Sequence, residues 1–276
     1  MTMRWLFLLS AAALCASLTA PLTGALAEDA APKPAAVDDG WIVTLGGGFQ
    51  LGPKYDGASK AGFSYSPSIS WRRANEPEGF SAPDDSLDFS LYDSRSFSFG
   101  AVLAYRAGRY AASTPRLYGL RDLPWTVEGG VFAEYWPILD RLRTRIEVRQ
   151  GMFGRYGLSV DLSTDWVSRF NNFTFSIGPR LSIGDSTYMR RNFGVTPLEA
   201  AVNGLMPAYT AGGGVKSVGL TSSLEYAWSP AWRTSIFAHY ERMTGNAARS
   251  PLVSDIGQRN QFSIGAGFSY AFRSGD

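Results

Sequence analysis

The sequence holds almost none of the residues from which metal sites and disulfides are built. Its 276 residues include one cysteine and one histidine, which are Cys15 and His239. A zinc site of four cysteines, or of two cysteines and two histidines, is therefore excluded, as is a disulfide within the chain. The glycine run 212–214 lacks the strand–GxxxxGK–helix context of a phosphate-binding loop. We expect no cofactor and no metal.

Charge and long apolar runs are also scarce. Charged residues make up 18% of the sequence, below the roughly 25% of ordinary soluble domains. The net charge of +2 shows no basic excess, which argues against a nucleic-acid partner. Beyond the N-terminus no segment has the roughly 18 consecutive apolar residues of a membrane helix. Aromatic residues reach 14%, with 30 glycines, and the mean hydropathy is −0.09. This mixture is typical of strands that alternate between apolar and polar residues.

The N-terminal segment has the pattern of a secretory signal. Residues 1–27 combine the basic residue Arg4, an apolar run and the A-x-A site Ala25–Ala27. The run is shorter than the about 20 residues of a membrane helix. Leu14 precedes Cys15 where a lipoprotein needs a small residue, so lipidation is not expected. The predicted organisation is a signal peptide (1–27), a flexible periplasmic lead-in (28–40), an outer-membrane β-barrel (41–273) and a tail (274–276).

Segments of about ten residues alternate with a period of two, which indicates β-strands. A soluble sandwich alternates too, but three features favour a membrane barrel. Aromatic residues lie at the ends of the apolar faces, the opposite faces are small or charged, and short turns alternate with long loops. In the last segment, the side chains expected to face lipid are Phe262, Ile264, Phe268, Tyr270 and Phe272, and those expected to face the lumen are Ser263, Gly265, Gly267 and Ser269.

The predicted fold is all-β, a transmembrane antiparallel β-barrel of about 12 strands with a short helix in one long extracellular loop. A sheet in lipid must close, because an open edge would leave backbone groups unpaired. A secreted soluble β domain is the alternative. The strands are predicted near 41–50, 63–73, 79–83, 86–93, 97–107, 125–136, 140–150, 157–167, 172–184, 215–228, 232–242 and 261–273.

The helix is predicted within loop 185–214. Thr196 is a good N-cap, Pro197 fits the first helical position and Glu199 completes a capping box. An apolar face would let the helix fold over or into the barrel mouth as a plug, or else pack on neighbouring loops. That face consists of Leu198, Ala201, Val202 and Leu205.

One strand, near 140–150, carries an unusual row of arginines. Arginine facing the lipid midplane costs roughly 2–4 kcal/mol, so this row is expected in the lumen. Acidic residues on neighbouring strands can pair with it, giving either a structural ion network or a selectivity ring or ligand-binding wall. The lone His239 also faces inward, as a lumen filler or as part of a hydrolase site for which no second element is identifiable. The candidate network comprises Arg141, Arg143, Arg145, Arg149, Glu147, Glu128, Glu134, Asp161 and Asp165.

Several local motifs resemble one family. They are GPKYDG at 52–57, MRRNFGV at 189–195, GLMPAY at 204–209, SPLV at 250–253 and RNQF at 259–262. With them the chain resembles the MipA/OmpV family of MltA-interacting outer-membrane proteins over essentially all of 41–273. It departs from the family at 74–85, which are polar and Pro-rich where the family has an apolar strand. It also departs at the C-terminus, where four residues follow Phe272.

The resemblance implies a protein of the Gram-negative outer membrane, with membrane lipid around it. It further implies a non-enzymatic scaffold that binds a lytic murein transglycosylase and a murein synthase at the periplasmic face. The alternatives are a narrow pore or small-molecule binding barrel, and a surface antigen or adhesin using loops 108–124 and 243–260. An enzyme is not expected, since His239 alone would support one.

Overall fold

The protein, in a computed structural model, is described over residues 40–273 except Pro77, Gly154 and Arg155. The predicted signal peptide, the lead-in apart from Gly40, and the tail lie outside the described residues. The described chain forms an 11-stranded antiparallel sheet in the order β2-β1-β11-β10-β9-β8-β7-β6-β5-β4-β3. The strands are β1 (Trp41–Pro53), β2 (Ala61–Arg73), β3 (Leu87–Asp93), β4 (Phe97–Arg106), β5 (Thr126–Ile138), β6 (Leu142–Gly151), β7 (Leu158–Phe170), β8 (Phe173–Gly184), β9 (Gly214–Ala227), β10 (Trp232–Met243) and β11 (Asn260–Arg273).

The sheet curls into a near-closed barrel, which confirms the predicted all-β fold. Alternation directs large apolar side chains outward. Phe268 and Phe262 of β11 are exposed, for example, whereas Ser263 is buried. No helix in the described part of the chain is long and apolar enough to span a membrane.

The two ends of the barrel differ. At one end, which we call the short-turn end, the connections 94–96, 139–141, 171–172 and 228–231 are tight. Asp140 and Asn171 have positive φ there, a conformation that Asp and Asn tolerate better than most residues. The other end, the long-loop end, carries the remaining connections except the one between β2 and β3. Pairing of Ile42 with Arg273 places the start of β1 and the end of β11 together at the short-turn end.

The predicted third strand, 79–83, is not a strand. β2 ends at the short-turn end, yet β3 begins toward the long-loop end and runs in the same direction as β2. The chain must therefore return along the length of the barrel between these strands, and the contacts of Asp84 and Asp85 place residues 78–86 in the lumen. Pro83 cannot donate to a strand ladder, and the adjacent Asp84 and Asp85 cannot face lipid cheaply. The chain therefore does cross the barrel a twelfth time, but as a non-strand segment in the lumen and not as a strand of the wall.

β2 and β3 flank a seam in the barrel wall. No ladder pairing joins them among the described residues. Trp71 of β2 and Phe89 of β3 approach across it, with ring centroids 5.3 Å apart. The barrel is therefore nearly closed, with an aromatic contact in place of backbone hydrogen bonds at this point.

The long loops fold together into a cap that has its own hydrophobic core. Its helices are α1 (Ser186–Phe193), α2 (Pro197–Asn203), α3 (Gly245–Arg249) and α4 (Pro251–Ser254), with two short 3-10 helices, Ala111–Ser113 and Pro115–Leu117. Buried side chains from separate loops meet in two clusters, so the loops stabilise one another. One cluster contains Leu117, Leu120, Val195, Met206, Leu252 and Ile256; the other contains Tyr188, Met189, Phe193, Ala211, Met243, Ala247 and Val253.

The predicted helix is present as α2, but its apolar face is exposed and its polar residue Glu199 is buried. The capping box between Thr196 and Glu199 forms, and Gly204 ends the helix with a φ of 69°. The apolar face does not plug the barrel, since Leu198 and Val202 are exposed. Glu199 is buried instead, because its carboxylate accepts hydrogen bonds from backbone N–H groups of its own helix cap and of a neighbouring loop.

Candidate functional site in the barrel lumen

Residues 78–86, which we call the luminal segment, bring carboxylates to the arginines of the barrel wall. Side chains of this segment contact β5, β6, β8, β9 and β10. The ring of Phe80 lies 6.4 Å from that of Trp136 on β5, and Glu78 pairs with Arg233 at the start of β10. The segment thus reaches from the short-turn end toward the middle of the lumen.

Arg143 of β6 is the centre of the network. It is fully buried and lies 2.6 Å from Asp85, 2.8 Å from Glu134 and 3.3 Å from Asp165. Its guanidinium also lies over the ring of Phe80, 5.3 Å from the centroid. A buried guanidinium is stable only when it is paired and hydrogen-bonded. Arg143 therefore fastens the luminal segment to β5, β6 and β7 at once.

Arg145 and Arg149 continue the row along β6. Arg145 lies 2.8 Å from Asp88 and 2.9 Å from Glu147. Arg149 donates to Asp161 at 2.5 Å and to the hydroxyl of Ser86 at 2.8 Å. Arg145 therefore joins β3 to β6, and Arg149 joins the luminal segment to β6 and β7. These contacts make the network first of all a structural brace.

Asp84 joins the segment to the far wall. Arg180 of β8 donates to both of its carboxylate oxygens, at 2.7 and 3.0 Å. Thr221 of β9 donates to it at 2.9 Å. His239 faces inward as predicted, with Nδ1 2.8 Å from the Thr221 hydroxyl and 3.8 Å from Asp84. Thr221 is almost fully buried, so His239 supports the wall hydroxyl that donates to Asp84.

Toward the cap, the network is completed by residues absent from the sequence prediction. Arg106 lies 2.5 Å from Glu128 and 3.5 Å from Asp56. Lys216 lies 3.3 Å from Asp56. Burial alone would raise the pKa of Asp56, but the charges of Lys216 and Arg106 outweigh it and hold that pKa below its ordinary value. The guanidinium of Arg106 lies over the ring of Tyr188 of α1, with Cζ 4.8 Å from the ring centroid. Burial raises the pKa of Tyr188 to about 12.

One predicted member of the network lies elsewhere. Arg141 is an exposed residue of the turn before β6, because the strand begins two residues later than predicted. The other predicted residues converge in the lumen: Arg143, Arg145, Arg149, Glu147, Glu128, Glu134, Asp161 and Asp165.

The residues that sequence reasoning missed come from distant parts of the chain. Asp85 is 58 positions from Arg143, and Asp84 is 137 from Thr221. Alternation shows which way a wall residue points, but not what a non-strand segment brings to it. The signal that could have found the pair was the polar, Pro-rich composition around it, which does not fit a lipid-facing strand.

A cavity of about 180 Å³ lies between the luminal segment and the inner faces of β6 to β10. Its lining mixes both signs of charge and includes Asp84, Glu147, Asp161, Lys216, His239 and Glu241. In the part of the chain that the structure describes, no three His, Cys, Asp or Glu residues are arranged to hold a metal ion.

Comparison with known proteins gave one family match. The family model described as MltA-interacting protein MipA matches residues 45–272. No curated protein matches the chain. Among solved structures, the chain is similar to the NanC porin, with 10% identity, 83% of this chain and 98% of that chain covered, and a TM-score of 0.41. An outer-membrane channel from Pseudomonas putida F1 shows 10% identity over 86% of this chain and 97% of that chain, with a TM-score of 0.43.

Proposed function

Because this chain belongs to the MltA-interacting protein MipA family, we propose that it is a non-enzymatic scaffold of the outer membrane. In this role the barrel anchors a lytic murein transglycosylase and a murein synthase at its periplasmic face. The family match carries the proposal, since it covers residues 45–272, nearly the whole barrel.

The orientation follows from the shape of the barrel. Outer-membrane barrels have short turns on the periplasmic side and long loops outside. The short-turn end would then meet murein and its enzymes. It presents exposed side chains on two of its turns: Leu139 and Arg141 between β5 and β6, and Trp228 between β9 and β10. Exposed apolar groups beside a positive charge are suited to protein contact.

The lumen also supports a scaffold more than an enzyme. Its arginines are held by carboxylates on both the wall and the luminal segment. Such bracing stiffens the barrel and fixes the turns that a partner would recognise.

The proposal is tested by affinity capture with the detergent-solubilised barrel and a purified lytic transglycosylase. We expect retention by the wild type and loss of retention after Leu139→Ser with Arg141→Glu at the periplasmic turn. The control, Leu205→Ser, makes the same kind of change on the exposed face of the cap and should retain the enzyme. If the folded wild-type barrel captures neither a transglycosylase nor a synthase, the scaffold role is wrong.

A further inference from the structure

The lumen has two unlike sides. The charged side chains of the network come from β3 to β10 and from the luminal segment, with Asp56 added from the loop between β1 and β2. On β1, β2 and β11 a neutral surface faces them above Arg72 and Arg273, which lie at the short-turn end; we call this surface the glycine–serine wall. Its inward residues are Gly46, Gly48, Ser64, Ser66, Ser68, Ser70, Gly265, Gly267 and Ser269.

The luminal segment leaves much of this wall uncovered. Ser64, Ser66, Ser68 and Ser70 point inward, yet all four are exposed. At Gly48 a Cβ atom would meet nothing closer than 3.5 Å. The ion pairs draw the segment toward β5–β10, so a narrow space remains between the segment and the wall.

This space has an exit beside β2. The cap buries the upper ends of β1 and β11, where Gly52 and Gln261 are covered. β2 and β3 run the same way and meet at Trp71 and Phe89, so β3 begins near the level of Ile69. Among the described residues, 61–68 of β2 therefore have no neighbouring strand on that side. Water at this edge would satisfy backbone groups that lipid cannot.

The charge presented to water inside the barrel is mainly negative. In several ion pairs the carboxylate is the more exposed partner: the side chain of Asp88 is 40% exposed against 3% for Arg145, and that of Asp84 is 31% exposed against 11% for Arg180. Glu78 at 39% and Arg233 at 20% repeat the pattern at the short-turn end. The order is reversed where Arg106 and Arg149 pair with Glu128, where Arg149 pairs with Glu147 and where Arg180 pairs with Asp165, because these carboxylates are almost fully buried.

We infer that the barrel conducts small cations along the glycine–serine wall. A ring of arginines would favour anions, but here the arginines are turned into the protein and their carboxylate partners line the water. Uncharged hydroxyls on the opposite wall hold a permeating ion only weakly, as conduction requires. The inference is a further activity, beyond the scaffold role, and needs no periplasmic partner.

The test is planar-bilayer recording of the full barrel, refolded and checked by its heat-modifiable gel mobility, under a KCl gradient. We expect a small steady conductance, and a zero-current potential whose sign shows that the barrel passes K⁺ in preference to Cl⁻. Gly48→Trp should abolish most of the conductance, because the indole would fill the space in front of the wall. The matched control Ala266→Trp projects outward from the neighbouring strand position and should conduct like the wild type.

A second pair of variants tests the selectivity. Asp88→Asn removes an exposed luminal carboxylate, so the zero-current potential should shift toward zero. Asp140→Asn changes a carboxylate of a short turn, 88% exposed, and should shift it less. The inference is overturned if the folded wild type does not conduct, if it prefers Cl⁻, or if Gly48→Trp conducts as well as Ala266→Trp. Enzyme capture is measured separately, so neither result decides the other.

Discussion

At the residue scale, the energetics of the lumen depend on Arg143. Its guanidinium is shielded from water and surrounded by Asp85, Glu134 and Asp165. Removing one partner from such a set leaves uncompensated charges in a region of low dielectric constant, which is costlier than never having formed the pair.

Arg143→Met should therefore destabilise the folded barrel by about 3–5 kcal/mol. The methionine keeps most of the volume but leaves carboxylates from three parts of the chain facing one another. Arg141→Met is the matched control and should change stability by less than about 0.5 kcal/mol, because Arg141 is an exposed turn residue. The midpoint of urea unfolding in detergent or vesicles measures both. Equal midpoints for the two variants would show that the network does not brace the barrel.

Glu199 is the corresponding residue in the cap. Burial would raise its pKa, but hydrogen bonds from the backbone N–H groups of Thr196 and Arg121 and the charge of Arg121 lower it. Because the pKa is lowered on folding, the carboxylate stabilises the cap above its ordinary pKa, and this stabilisation is lost as the pH falls through the lowered value.

Glu199→Gln should accordingly speed hydrogen exchange in α2 at neutral pH, while leaving the barrel strands unchanged. On acidification below the lowered pKa of Glu199, the wild type should approach the variant, since both then carry an uncharged side chain. A difference that persists unchanged at acid pH would mean that the charge of Glu199 does not hold α2.

Residue periodicity predicted most of the luminal side chains but not their partners. The inward row of β6 follows from alternation and from the cost of placing arginine in lipid. Asp84 and Asp85 lie outside any periodic segment, so their pairing depends on where a connecting segment runs. A single sequence contains no rule for that path.

At the element scale, the strands were the most predictable part. Eleven of the predicted segments overlap the observed strands within a few residues at each end, since each combines alternation with turn residues at its ends. The remaining predicted segment, 79–83, is not a strand, because Pro83 and the adjacent Asp84 and Asp85 favour a paired position in the lumen over a strand in lipid. The cap helix α2 was predicted from its capping box, but its packing was not, because one backbone donor to Glu199, the N–H of Arg121, comes from a remote loop.

The facing of β11 gives a direct element-scale prediction. Phe268 is 48% exposed on the outer wall, so Phe268→Arg should cost roughly 2–4 kcal/mol near the bilayer midplane. Gly48→Arg places the same side chain in the lumen, where a Cβ atom has room, and should assemble better. The fraction of folded, heat-modifiable protein after refolding into vesicles compares them. Better assembly of Phe268→Arg would reverse the assignment of the two faces.

At the scale of the whole molecule, one crossing of the chain through the lumen explains several features together. It allows an 11-stranded barrel to keep the start of β1 and the end of β11 at the same end. It leaves β2 and β3 parallel across the seam, supplies partners for the arginines of β6, and divides the lumen into a charged side and a neutral side. Without that crossing, Arg143 would lose Asp85 and Arg180 would lose Asp84.

The most direct test of this account asks whether residue 84 lies inside the barrel. The single cysteine of the sequence, Cys15, lies in the predicted signal peptide, so introduced pairs meet no other thiol after cleavage. Asp84→Cys with Thr221→Cys replaces groups 2.9 Å apart. Ser176→Cys with Ser223→Cys is the positive control on the wall, where the hydroxyls lie 2.7 Å apart. The account predicts that oxidation or a short bifunctional thiol reagent links both pairs in the folded barrel. Linking of 176 to 223 without any linking of 84 to 221 would contradict the luminal crossing.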